Sequence, residues 1–254
     1  SRKAFTGQLR GLETPTVWAS LERREALFRQ QIAGTDLSRE ADDAWIAIGQ
    51  ATAEAARTFR QRLYHNFVGS TFAEIAEIIV RYVEETEKPD ASRLPGYHDS
   101  ELSSLEFRLF SPAPIYPNRE EHLIAGFLEA AKQELGSDDW FIRTVLGNRS
   151  PQEIAAHLVQ NTELANPDFR RELIAGGTAA VVGSTDPLIT TMRQLDPQRR
   201  EAREETFRQS VESVLEDSGA TLARARFSAF GRTVYPDATF TPRLAYGTVK
   251  GYPM

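Results

Sequence analysis

Apolar residues recur at intervals of three and four along most of this chain, and that period admits helices and little else. Trp45, Ile48, Ala55, Phe59 and Leu63 fall on one stripe with Thr52 as its polar member, while Glu54, Arg57, Arg60 and Arg62 take the other face. A second stripe, Phe72, Ile75, Ala76, Ile79, Tyr82 and Val83, follows a capping Ser70 or Thr71 and should stop before Pro89. Between Pro89 and Pro117 the residues Pro95, Gly96, Pro112 and Pro114 leave room only for a short helix near Ser100 to Phe110. This stretch reads as a connector between two helical halves. Helix resumes with Leu123, Ile124, Phe127, Leu128, Ala131 and Leu135, and Gly136 stands where a left-handed C-terminal residue is wanted.

Helix starts are marked with equal clarity. Ser150-Pro151-Gln152-Glu153 supplies a capping oxygen, a proline at the first helical position and a glutamate at the third. Asp186-Pro187 and Asp196-Pro197 repeat the idiom, so a last helix is expected from Pro197 to about Phe230, interrupted at Gly219 and closed by Gly231. Beyond it the period changes to two, with Phe240, Leu244 and Tyr246 alternating with Thr241, Arg243 and Ala245. The expected fold is therefore all-α. A multi-helix domain spans residues 1–232, its halves joined by a Pro-rich connector at about 89–117, and a short C-terminal β extension spans 233–254.

Composition narrows the function classes. The 30 basic and 36 acidic residues are interspersed, as in Arg23-Arg24 beside Glu22 and Glu25, which argues against a nucleic-acid surface. There is no cysteine, so disulfides, thiolate metal sites and thiol catalysis are excluded together. No apolar run approaches the length of a membrane span, and the opening Ser-Arg-Lys-Ala-Phe reads as a trimmed end.

Local motifs assign no catalytic, cofactor-binding or metal-ligating residue. His65, His98, His122 and His157 lack a second histidine at helical spacing, and Glu120-Glu121-His122 reads as an exposed helix start. Gly176-Gly177-Thr178 lacks the lysine and spacing of a phosphate loop and reads as turn and cap. No serine sits in a Gly-x-Ser-x-Gly elbow or a Ser-x-x-Lys pair. Asn148-Arg149-Ser150 matches a glycosylation sequon but reads as a helix entry, and Trp18, Trp45 and Trp140 read as core.

The stretch from Val234 to Tyr252, Val-Tyr-Pro-Asp-Ala-Thr-Phe-Thr-Pro-Arg-Leu-Ala-Tyr-Gly-Thr-Val-Lys-Gly-Tyr, resembles a signature of bacterial dipeptidyl-peptidases 7 and 11. Its marker residues are Tyr235, Pro236, Asp237, Thr239, Arg243, Gly247, Lys250 and Gly251. Lys3 to Leu12, Leu173 to Asp196 and the arginines after Asp196-Pro197 also look like that family. Pro242 stands where the family usually has an aliphatic residue.

The resemblance implies a serine peptidase that joins a chymotrypsin-like double β-barrel to a large helical insertion capping its cleft. This chain is similar to the insertion. The catalytic histidine and aspartate are then expected before it and the serine after it, with no cofactor. The implied partners are the barrel of the parent chain and a peptide substrate, with neither nucleic acid nor membrane, and the implied compartment is the periplasm. An open strand edge in the tail allows a homodimer. The alternative is a free-standing helical peptide-binding or scaffold protein.

Overall fold

The computed structural model describes residues 2–67 and 69–231. The β extension and the signature residues from Tyr235 to Gly251 lie outside the described residues. Within them every regular element is a helix, and none is a strand. The α-helices are α1 (Arg2–Leu12), α2 (Pro15–Ile32), α3 (Ser38–Tyr64), α4 (Thr71–Thr86), α5 (Asp99–Leu109), α6 (Pro117–Leu135) and α7 (Trp140–Leu146). They continue with α8 (Pro151–Gln160), α9 (Pro167–Ala175), α10 (Gly177–Gly183), α11 (Pro187–Arg200) and α12 (Ser213–Phe230). A short 3-10 turn spans Asp90–Ser92, and a π-helical stretch spans Glu201–Glu212.

Contacts divide the chain into two units, residues 50–214 and residues 2–49 with 215–231. The larger unit is organised around α4, in which Ala73, Ile78 and Val80 are buried as well as the expected stripe. A helix apolar on nearly all sides belongs at the centre of a core. It packs on α11, α10 and α9, while α6 packs chiefly on α8. Phe72, Ile79, Leu128, Phe141, Leu188 and Ile189 are almost wholly buried, each worth about 1.5–3 kcal/mol of transfer free energy. The stretch 89–117 lies inside this unit. Its helix α5 buries Leu105 and Leu109, and the backbone N–H of Leu94 donates to Glu85 at 2.8 Å.

Several helix ends are closed by the residues that the chain's own pattern names. Ser70 Oγ accepts from Ala73 N at 3.2 Å, Ser150 and Glu153 form a complete capping box, and Asp186 accepts from Leu188 and Ile189. Gly136 ends α6 with positive φ but extended ψ, so it supplies the expected glycine without adopting the left-handed helical conformation. Gly176 and Gly177 form the joint between α9 and α10. A Cβ on Gly176 would sit 2.4 Å from Ala180 Cβ, and Gly177 has φ +61.

Two expected boundaries are corrected. Asp196-Pro197 does not begin a helix; Pro197 lies inside α11, because the Asp196 carboxylate is drawn to Arg81 and Arg200 and does not cap. Gly219 does not interrupt α12, which runs through it to Phe230 before Gly231 takes φ +58.

The smaller unit has a thin core of Ile32, Ala41 and Ala225, flanked by Phe28, Leu37, Trp45 and Leu222. Phe28 meets Trp45 edge-on at 5.5 Å, and Arg29 lies 3.9 Å from the centre of the Trp45 ring. Helix α1 leaves Phe5, Leu9 and Leu12 exposed, and Trp18 of α2 is exposed as well, contrary to its reading as core.

Candidate functional site

In the larger unit an open groove of about 490 Å³ is bounded by the C-terminal end of α3, the start of α7 and one face of the Arg199–Ser210 segment. On that segment Arg199, Ala202, Arg203, Thr206, Phe207 and Ser210 recur at three and four, which places them along a single face. Most of them belong to the π-helical stretch. Local π geometry is found disproportionately where a helix carries function.

His65 follows the last turn of α3, and its Nε2 lies 3.1 Å from Asp139 Oδ1 and 3.2 Å from Oδ2. Asp139 is also the N-cap of α7, accepting from Phe141 N at 2.8 Å. The imidazole packs against Trp140, with ring centres 4.7 Å apart, and stacks on Phe141 at 5.9 Å. Trp140 is thus half core and half groove wall. Beside it, Asn66 Oδ1 accepts from Arg199 Nη2 at 2.6 Å, and the same guanidinium reaches Glu77 at 2.8 Å. Ser210, the serine on the groove face, donates its hydroxyl to Thr206 O of its own helix at 2.7 Å. An oriented imidazole and several cationic donors are assembled here. Such a surface can hold an anionic or peptide-like ligand by hydrogen bonds and stacking.

The other concentrations of charge are structural. Glu120 is fully buried, correcting its reading as part of an exposed start, because its carboxylate accepts from Ser70 Oγ at 2.8 Å and Phe72 N at 3.3 Å. It thereby ties α6 to the first turn of α4. Arg170 is 1% exposed and donates to the carbonyls of Leu164, Leu109, Ser111 and Ala165. Burial lowers its pKa, yet a guanidinium stays charged at any ordinary pH. Glu85, fully buried in α4, meets Lys88 at 2.7 Å and also Arg200, which in turn grips Asp196 and Glu84. Burial opposes ionisation of Glu85, but Lys88, Arg200 and the Leu94 N–H outweigh it and hold its pKa below the usual range. Burial, reinforced by a hydrogen bond to Glu106, pushes Tyr82 up to about 12.

Among the described residues no group of three or more histidines, aspartates and glutamates is placed to hold a metal ion. Nor is any described helix long and apolar enough to cross a membrane. His65 and Asp139 are 74 residues apart, so no local spacing could have paired them. The one signal available was Asp139 standing ahead of Trp140 and Phe141, as a cap would.

A search of curated proteins returns no match. The family model described as peptidase S46 matches residues 1–254. That family agrees with the dipeptidyl-peptidase resemblance carried by the Tyr235–Gly251 signature. Matched over all 254 residues, the chain belongs to the peptidase S46 family.

Proposed function

We propose that this chain is the helical cap of a bacterial, periplasmic serine dipeptidyl-peptidase, working over a catalytic double β-barrel supplied by the parent chain. The observation that carries this reading is the pairing of a peptidase family match over the whole chain with described residues whose regular elements are all helices. Acyl transfer needs a nucleophile, a base and oxyanion donors held in one geometry. His65 presents Nε2 to Asp139, and its ring is packed against Trp140 and Phe141, an arrangement suited to a fixed wall of the groove. The Ser210 proton is committed to Thr206 O. The role that fits these residues is steric and orienting. Residues 233–254 then lead the chain into the barrel.

A helical body over one end of a peptidase cleft leaves space for only two residues ahead of the scissile bond. It thereby turns an endopeptidase barrel into an enzyme that releases dipeptides, and its movement can gate entry. The test compares the parent-length protein, a version lacking residues 2–231 and the present chain alone, on a dipeptidyl reporter and on an N-terminally blocked longer peptide. The parent-length protein should release dipeptides, and the chain alone should show neither turnover nor labelling by a serine-directed fluorophosphonate. Saturable turnover with stoichiometric labelling of the chain alone would sink the reading.

A further inference from the structure

We propose that the groove of the larger unit is a binding site for a carboxylate anion, with Arg62 as its anchor. The other arginines that line the groove each meet a carboxylate. Arg57 meets Glu54 at 2.6 Å, Arg199 meets Glu77 at 2.8 Å and Arg203 meets Glu212 at 3.3 Å. Arg62 is different. Its Nη2 donates to Ala55 O at 3.1 Å and its Nε to Thr58 Oγ1 at 3.4 Å, both neutral acceptors of its own helix. Among the described side chains no carboxylate pairs with it.

The surroundings sharpen that deficit. The Arg62 guanidinium lies over the Phe207 ring at 3.7 Å, and Arg203 approaches the same ring at 5.8 Å, so two like charges gather at one aromatic ring. Burial and the neighbouring Arg203 pull the pKa of Arg62 down, and Glu212, which is paired with Arg203, only partly offsets them. Arg170 also lacks a carboxylate, but it is sealed in the core and four carbonyls take its donors. Arg62 instead lines an open cavity, with Nη1 not used in those bonds.

Stacking fixes the guanidinium plane and leaves an edge whose geometry matches the two oxygens of a carboxylate. Of the carboxylates in the lining, Glu54 is held by Arg57 and Asp139 by His65, while Glu201 is solvent-exposed. Gln61, Gln198 and Thr206 add neutral groups able to hydrogen-bond the ligand. The site is independent of the cap reading, which rests on the family match.

The ligand carboxylate has three sources: a small free acid, a peptide C-terminus or an acidic side chain. Binding to the intact chain is measured by calorimetry with four probes: acetate, N-acetyl-tetraalanine as the free acid, the same peptide as its amide, and that amide carrying one glutamate. Sodium chloride at matched ionic strength is the reference. Acetate and both carboxylate peptides should bind, and the uncharged amide should not. The tighter of the two peptides names the source, and equal binding of all three carboxylates points to a small acid.

Arg62→Gln should weaken binding at least about tenfold, the scale of losing a charge-assisted bidentate contact. Arg62→Lys should fall between the two, since an ammonium lacks the fork. Circular dichroism verifies that each variant is folded. Because Arg62 also packs on Phe207, the exposed Arg203→Gln serves as a second variant, expected to lose about two- to fivefold by weakening the local field. Affinity of Arg62→Gln within about twofold of the parent, or chloride or the amide matching the carboxylates, would overturn the proposal.

Discussion

Replacing Arg200 by methionine removes one cation from two buried carboxylates at once. Arg200 links Asp196 and Glu85, whose side chains are 5% and 0% exposed, and reaches Glu84 at 3.1 Å. Deleting one partner of a buried pair costs about 3–5 kcal/mol when the surviving charge is stranded. Here neither is stranded. Glu85 keeps Lys88 at 2.7 Å and the Leu94 N–H at 2.8 Å, and Asp196 keeps Arg81 at 2.6 Å. We therefore expect a loss near 2 kcal/mol, below the full penalty. In a unit of this size that lowers Tm by roughly 4–8 °C.

Urea denaturation followed by circular dichroism measures the loss, with Arg108→Met as the control. Arg108 meets Glu74 at 3.5 Å on an exposed surface, so its removal should cost less than about 1 kcal/mol. A double-mutant cycle with Glu85→Gln should show coupling of about 0.5–3 kcal/mol. The pH dependence has a definite sign. The Glu85 pKa is lowered on folding, so its contribution is present above the unfolded value of about 4.5 and is lost as pH falls through the folded value. Without Arg200 that folded value rises, and the gap between variant and parent should close as pH drops below 4.5. A stability loss no larger than that of Arg108→Met, or zero coupling with Glu85, would refute the reasoning.

Arg170→Met should be among the most damaging changes, about 3 kcal/mol or more by denaturant midpoint, because it leaves the carbonyls of Leu109, Ser111, Leu164 and Ala165 without their donor. Gly176→Ala should cost about 1–3 kcal/mol by overpacking, since the new methyl would lie 2.4 Å from Ala180 Cβ; pairing it with Ala180→Gly should restore part of the loss. Ser150→Ala should cost about 1 kcal/mol through the lost cap of α8, and Ser150→Thr much less, both read from thermal melts.

The locally encoded features are those whose partners lie within a few residues. Ser70, Ser150 and Asp186 cap the helices that follow them because each side chain needs only an N–H two or three positions ahead. Such a bond forms in any context that permits the helix, so a single sequence suffices to read it. Apolar spacing carried the all-α class for the same reason, since period alone decides which residues share a face. The family was legible in the Tyr235–Gly251 stretch.

Tertiary structure alone decided where the charges went. Asp196-Pro197 has the same idiom as Asp186-Pro187, yet Arg81, 115 residues away, draws the Asp196 carboxylate and α11 runs through. Glu120 reads as surface until Ser70, 50 residues earlier, meets it in the core. The groove joins His65 to Asp139 and Arg62 to Phe207, pairs that no local spacing signals. Ion pairs and stacking act through space and are blind to sequence distance. The strength of a charge's interactions depends on its burial and its neighbours, and both exist only once the helices have packed.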